Sequence, residues 1–175
     1  MDLSNLIITT ERLKLVPVSK DYAEAIFREF TSEVTTYMFP KHAETIDDTL
    51  AFITMAQEQR EKGEAFNVSI LDAQTGALLG GGGINSLNTK TPALGIWIKI
   101  GAHGHKYGRE AVTGLKEWAE KNLQYDYLIY PVDKQNIASR KIAESLGGIA
   151  KKEYKKINQS GNELDMVEYW IYKLS

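Results

Sequence analysis

The sequence predicts a mixed α/β or α+β fold in which helices cover a sheet. Two observations carry this. Apolar runs of period two alternate along the chain with runs of helical period. The composition, 43% hydrophobic and 25% charged, is that of an ordinary soluble globular protein, neither disordered nor fibrous. At about 150 residues per domain, the 175 residues correspond to one domain, and no repeat, linker or low-complexity tract divides residues 1–175.

RLKLV, residues 12–16, alternates as a strand and stops at Pro17. Ser19 reads as the N-cap of a helix through YAEAIFREF, 22–30, and SEVTTYMFPKHAE, 32–44, has no clean period and reads as a loop or broken helix with exposed aromatics. Thr45 with Asp48 approximates a capping box for the amphipathic helix IDDTLAFITMAQEQREK, which ends at Gly63. AFNVSIL, the turn DAQTG and ALLGGGGINSL make 65–87 a hairpin, and ALGIWIKI, 93–100, is the next strand. A helix over 109–122, a short strand over 127–132 and a helix from Asn136 to the Gly147-Gly148 pair follow. AKKEYKKI and MVEYWIYKL, separated by NQSGNE, form a final antiparallel pair.

Charge and cysteine content exclude several functions. A formal net charge of −2 gives no global attraction to nucleic acid or an anionic membrane, so any basic site is local. Without cysteine there are no disulfides, thiolate nucleophiles or cysteine-zinc sites. The opening MDLSNLIITTERLKL lacks a basic region followed by a long apolar stretch, and no run of about 18 apolar residues spans a bilayer, so the expected location is the cytoplasm, with no nucleic-acid or membrane partner. The sequence leaves the oligomeric state open, a homodimer included.

The informative stretch is GIWIKIGAHGHKYGREAV, 95–112, where a strand breaks into a glycine- and cation-rich turn that opens a helix. Unpaired amides at a helix N-terminus and in a glycine turn form an anion nest. Gly101, Gly104 and Gly108 permit the tight turn, and His103, His105, Lys106 and Arg109 surround the same space with donors, with Tyr107 as an inward spacer. The plainer reading is a helix-start turn with surface cations. It is not a Walker A loop, because no glycine precedes Lys-Ser or Lys-Thr, and the glycines do not keep the GxGxxG spacing. His103-Gly-His105 lacks a third ligand, so no metal site is expected.

Gly95-Ile96-Trp97, the loop His103–Gly108, REAV and the later VDKQNIASRKIAESLGG together resemble the GCN5-related N-acetyltransferase superfamily, especially its ribosomal-protein-alanine acetyltransferase-like branch. TERLKLVP and SEVTTYMFP extend that resemblance over nearly the whole chain. It implies a single domain with a mixed, mostly antiparallel sheet of about seven strands flanked by helices, and a cofactor cleft between two central strands. The loop resembles the family's Gln/Arg-x-x-Gly-x-Gly/Ala pyrophosphate loop, with Gly108 at its Gly/Ala position and Glu110 at the family glutamate. Four positions depart: His103 replaces Gln or Arg, Lys106 replaces a glycine, and at the far helix Ala143 stands where many relatives carry a tyrosine acting as general acid while Gly148 replaces a phenylalanine.

The resemblance implies acetyl transfer from acetyl-CoA to a primary amine, on a peptide N-terminus or a small molecule, by direct attack and with no metal. The pantetheine arm would pair with backbone near Ile98 and Ile100, as an added strand does. His103, Gly104, His105, Lys106, Tyr107, Gly108 and Arg109 would hold the diphosphate; Asn136 would contact the arm and Ser139 would protonate the leaving thiolate. On spacing alone Asn136 is an N-cap and Ser139 a first-turn residue. Base duty falls to water, or to Glu33, His42 or Asp133. Tyr37, Met38 and Phe39 are candidate acceptor walls or simply core cover; Gly82 in the GGGG run leaves room beside the thioester or marks a bulge, and Asn85 would face the acceptor. Lys151, Lys152, Lys155 and Lys156 read as a solvated face. The alternative function is an acyl-CoA-binding module without turnover.

Overall fold

In the computed structural model, which describes residues 1–174, strands β1 (Ile8–Thr9) and β2 (Leu13–Pro17) precede a 3-10 turn (Lys20–Tyr22) and helices α1 (Ala23–Glu29) and α2 (Ile46–Glu61). A meander follows: β3 (Ala65–Asp72), β4 (Leu78–Asn85) and β5 (Ala93–Ile98). After a second 3-10 turn (Ile100–Ala102) come α3 (Tyr107–Asn122), β6 (Leu128–Asp133), α4 (Ile137–Ser145), β7 (Ile149–Ile157) and β8 (Glu163–Ile171). The eight strands form one open sheet in the order β1-β2-β3-β4-β5-β6-β8-β7. Every neighbouring pair is antiparallel except β5 with β6. The strand beyond the predicted seven is β1, a two-residue edge too short to show a period.

Two helical layers cover the sheet. In β2, Leu13 and Leu15 are buried and Lys14 is exposed, as alternation dictates. Phe66, Val68 and Ile70 of β3 face α3, whose Ala111, Val112, Leu115 and Ala119 form a helical stripe on the same core. Each of these fully buried larger side chains contributes roughly 1.5–3 kcal/mol. On the other face Leu71 and Leu78 pack with Ile26, Ile53 and Ala56 of α1 and α2. Asn67 and Ser69 share that face, and there helices cover a polar floor rather than core. The capping box of α2 is formed: Thr45 Oγ1 accepts from the Asp48 amide at 3.4 Å, and Asp48 Oδ2 accepts from the Thr45 amide at 3.0 Å.

Strands β5 and β6 share one register pair, Ala93 with Ile129, fixed by a 2.8 Å bond from Ile129 N–H to Pro92 C=O. The next rung of a parallel ladder would need the amide of residue 131 to donate to the Leu94 carbonyl. Residue 131 is proline and has no N–H, so the ladder ends and the strands diverge. The cleft between two central strands therefore has a covalent origin in β6.

β5 was expected to reach Ile100. It ends at Ile98, because Lys99 to His103 turn on bonds from Ala102 N–H to Lys99 C=O (3.0 Å) and from His103 N–H to Ile100 C=O (3.1 Å). α3 begins two residues earlier than its predicted Arg109 start, at Tyr107, and its N-cap Lys106 is left-handed at φ 61°. This is the conformation a glycine would supply, so Lys106 preserves the turn at the strain of an L-residue. The helix end at Gly147, φ 77°, is the left-handed stop predicted for α4; Gly148 is not left-handed.

A clamp ties this turn to the far edge of the sheet. Glu110 accepts from Thr10 Oγ1 (2.6 Å), the Arg12 amide (2.8 Å) and Arg12 Nε (2.7 Å), while Arg12 Nη2 donates to the His105 carbonyl at 3.0 Å. The Arg12 guanidinium also lies 4.6 Å from the centre of the Tyr107 ring. Burial pushes the Glu110 carboxyl up, but the bonds from Thr10 and Arg12 outweigh it and hold the carboxyl below the ordinary glutamate range.

Two outcomes follow. A carboxylate with a depressed folded pKa adds stability above the ordinary value of about 4.3, and that stability is lost as pH falls through the folded value. Thermal melts from pH 7 to pH 3 will show Glu110→Gln less stable at neutral pH and with a shallower acid slope than wild type; parallel curves would remove the clamp. Pro131→Ala restores the missing donor, and its new amide is expected to be slow in hydrogen exchange as it pairs with Leu94; fast exchange would mean that something else parts the strands.

Candidate active site

The ladder between β4 and β5 shows which backbone groups face the cleft. Lys99 N–H donates to Leu79 C=O at 2.9 Å, so Trp97, Gly95 and Ala93 bond toward β4 and the alternate residues Leu94, Ile96 and Ile98 point their groups toward β6. Past Ala93 no partner strand meets them. His103 Nε2 lies 2.7 Å from the Ile98 carbonyl and occupies one end of this edge. The Leu94 carbonyl, both groups of Ile96 and the Ile98 amide remain as an open strand edge. Ile100 lies in the turn, its carbonyl taken by the His103 amide, and extends no strand edge.

The turn then brings His103, Gly104, His105 and Lys106 to the N-terminus of α3, where the first-turn amides of Tyr107, Gly108 and Arg109 have no intrahelical partner. Gly104 is left-handed at φ 85°. Gly108 is buried: a Cβ there would sit 3.2 Å from Ile142 Cδ1 and 3.5 Å from Ile98 Cγ1, so the absent side chain lets α3 start against β5 and α4. Among the described residues no group of three or more His, Asp or Glu is arranged to hold a metal ion.

Across the cleft, Asn136 caps α4, its Oδ1 accepting from the Ser139 amide at 3.2 Å. Ser139 is half-buried, and its hydroxyl lies 2.8 Å from the hydroxyl of Tyr130, on β6. Tyr130 is 2% exposed, and burial pushes its phenol up to about 12 against the lowering effect of Ser139. It therefore holds its proton and can donate it to Ser139 Oγ, freeing the serine proton for another acceptor. Sequence reasoning missed Tyr130, Arg12 and Pro131. Only the proline carried a local signal, and reading it required knowing which neighbour β6 faces. Ala143, where a relative's tyrosine would stand, is fully buried.

On the face toward α1 and α2 lies a cavity of about 600 Å³ that reaches the β5 backbone at Gly95–Trp97. Gly82, Asn85 and Met38 line it; Tyr37 and Phe39 do not. Phe39 instead meets Lys156 Nζ, 3.9 Å from its ring centre, and its carbonyl accepts from the Gln159 amide at 2.9 Å. The glycine run is shaped by close approach on both sides. A Cβ on Gly80 would collide with the Trp97 carbonyl, one on Gly82 would sit 2.5 Å from the Gly95 carbonyl, and a bulge at Leu79 precedes the run. Of the candidate bases His42 lines the cavity, Glu33 does not, and Asp133 is buried with its oxygens held by the amides of Gln135 (2.8 Å) and Asp165 (2.9 Å). A second, more open cavity of about 750 Å³ lies on the opposite flank of α3, beside β1, and includes Lys106 and Arg109.

Comparison with known proteins agrees with this architecture. Residues 12–149 match the family model "Acetyltransferase (GNAT) domain". No curated protein matches the chain. Among solved structures, RimL, a ribosomal L7/L12 alpha-N-protein acetyltransferase in complex with coenzyme A, superposes with a TM-score of 0.85 at 14% identity, over 95% of this chain and 98% of that one. The ribosomal-protein-S5-alanine acetyltransferase of Vibrio fischeri gives 0.80 at 16% identity over 96% and 97%. A GNAT-family acetyltransferase from Bacillus anthracis gives 0.80 at 20% identity over 95% and 98%. At these identities the structures attest the fold, and the family match covers well over half of the sequence. With an open strand edge beside a glycine-cation turn and this match across residues 12–149, the chain belongs to the GNAT acetyltransferase family.

Proposed function

We propose that the chain, acting as one domain in the cytoplasm, transfers an acetyl group from acetyl-CoA directly to a primary amine on a peptide N-terminus or a small molecule. The observation that carries this reading is the open edge of β5 beside the Ser139–Tyr130 hydroxyl pair. Bound acetyl-CoA would supply a thioester whose acyl carbon accepts the amine. The free groups of Ile96 and the Ile98 amide would pair with the pantetheine arm as a neighbouring strand would. The amides of residues 104–109, with Lys106 and Arg109, would take the diphosphate. Asn136 stands at the mouth of the same cleft.

Attack of the amine breaks the carbon–sulfur bond, and the departing thiolate needs a proton. Ser139 would give it while Tyr130 donates into Ser139 Oγ, steadying the serine as its proton leaves. The names of RimL and the Vibrio fischeri enzyme support a peptide N-terminus as acceptor. A hydroxyl pair at the cleft favours turnover over the reading of a silent acyl-CoA-binding module.

Calorimetric titration with acetyl-CoA, followed by thiol release over a panel of amines, tests the proposal; binding with no release from any amine would leave only the binding module. Gly108→Asp forces a charged side chain between the start of α3, Ile142 and Ile98 and so displaces the amides of the nest; it is expected to weaken acetyl-CoA binding at least tenfold, and unchanged affinity in the folded variant would show that the diphosphate lies elsewhere. Ser139→Ala should lower kcat about 100-fold, the lower range for a lost general acid, with the acetyl-CoA Kd nearly unchanged. Tyr130→Phe should lower kcat several-fold without adding to the serine variant's loss, whereas additive losses would mean that the two hydroxyls act apart.

A further inference from the structure

Five glycines lie where β4 meets β5, and packing explains only four of them. A Cβ on Gly80 would collide with the Trp97 carbonyl, on Gly81 with the Trp97 indole, on Gly82 with the Gly95 carbonyl and on Gly83 with the Phe66 carbonyl. Gly95 differs: a Cβ there would meet nothing within 4 Å, and its φ is not left-handed, so the fold would accept a side chain. A glycine inside a strand weakens it and often marks close approach by another backbone or by a ligand. No protein atom makes that approach to Gly95.

The space above it belongs to the cavity under α1 and α2, which Gly95 lines. Its neighbours on that face are uncharged: Ala93 and Trp97 along β5, and Asn67 across Gly83. Phe30 backs Trp97, with ring centres 5.0 Å apart. Gly95 also stands at the start of the gap in the sheet, because the last paired residues are Ala93 and Ile129 and the strands part beside Leu94 and Gly95. The opposite face offers no room at this level. Leu94 is buried in the core there, and the side chains of Ile96 and Ile98 pack against the start of α3 at Gly108.

A pantetheine arm paired with Ile98 and then Ile96 would run from the diphosphate turn toward the Ala93–Ile129 junction, where the closed sheet stops it. Its thioester would then lie in the gap beside Gly95, and a carbon chain on the acyl group has one open direction, over Gly95 into the cavity. Resting on the acetyl-transfer reading, we infer that this space receives the acyl chain, and that the protein also transfers straight, uncharged acyl groups of three or four carbons from their coenzyme A thioesters. The balance is that of acetyl transfer: the amine nitrogen bonds to the acyl carbon, the carbon–sulfur bond breaks, and the proton that the amine loses ends on the thiol. Gly95 is a specificity residue for the donor.

The test measures binding apart from turnover. Acetyl-, propionyl- and butyryl-CoA are titrated calorimetrically into wild type, Gly95→Ala and Gly95→Val, and each donor is assayed for thiol release over the same panel of amines. Wild type is expected to bind butyryl-CoA about tenfold more tightly than acetyl-CoA, the effect of two methylenes leaving water, with propionyl-CoA between them, and to release thiol from all three. Gly95→Ala should shrink that preference, and Gly95→Val, whose side chain fills the space and suits a strand, should abolish it. If melting curves show that valine disturbs the fold, Gly95→Ala decides. Equal binding of the three donors by wild type, or a preference that survives both substitutions, overturns the inference. So does a rise in the KM of the amine with the donor preference intact, which would give the space to the acceptor. If butyryl-CoA binds with the predicted preference yet no amine releases thiol from any donor, the acyl slot stands and the acetyl-transfer reading falls; thiol release from acetyl-CoA alone keeps that reading and removes the slot.

Discussion

A missing hydrogen on one nitrogen governs this fold. Pro131 lies at the position of β6 whose amide would continue the ladder to β5, and beyond it each strand is held by its other neighbour, β5 by β4 and β6 by β8. The sheet stays continuous through Ala93 and Ile129 and then opens. Backbone groups that a closed sheet would satisfy are left for water or for a ligand of extended shape. Everything proposed to hold the coenzyme lies along this opening: the Ile96 and Ile98 edge, the turn that β5 runs into, and the start of α4, which β6 runs into.

The two faces of the sheet divide the work. Toward α3, apolar side chains from β2, β3, β4 and β6 pack to complete burial and set where the helix begins. Toward α1 and α2 the core closes only around Ile53, Leu71 and Leu78, and the remainder is a cavity floored by glycine backbone and small polar side chains. The glycines serve both faces. Without side chains β4 can lie against the β5 backbone, and the same lack leaves space above it.

Much of the architecture was legible in the sequence, because it depends on local signals. Alternation marked β2 and β3, a short apolar run marked β5, the Thr45–Asp48 box marked the start of α2, and the glycines around 101–108 marked the turn that opens α3. What escaped depends on contacts between distant segments. Arg12 reaches His105 across 93 positions, and Tyr130 meets Ser139 only because β6 and α4 pack together. The candidate walls Tyr37 and Phe39 are exposed aromatics in an aperiodic segment, and no local pattern tells which of its residues turns inward; Met38 does. The alternation of AFNVSIL was legible as a strand, but a polar residue facing solvent and one facing a covered cavity look alike in sequence.

The segment between α1 and α2 is fastened at its far end to the tip of the last hairpin. Asn158 Nδ2 donates to the Met38 carbonyl at 3.2 Å, the Gln159 amide to the Phe39 carbonyl at 2.9 Å, and the Lys41 amide to Gln159 Oε1 at 3.2 Å. One wall of the cavity therefore cannot swing outward on its own. It moves with the β7–β8 tip as a single cooperative unit, so the two segments, more than a hundred residues apart, share one opening equilibrium with solvent.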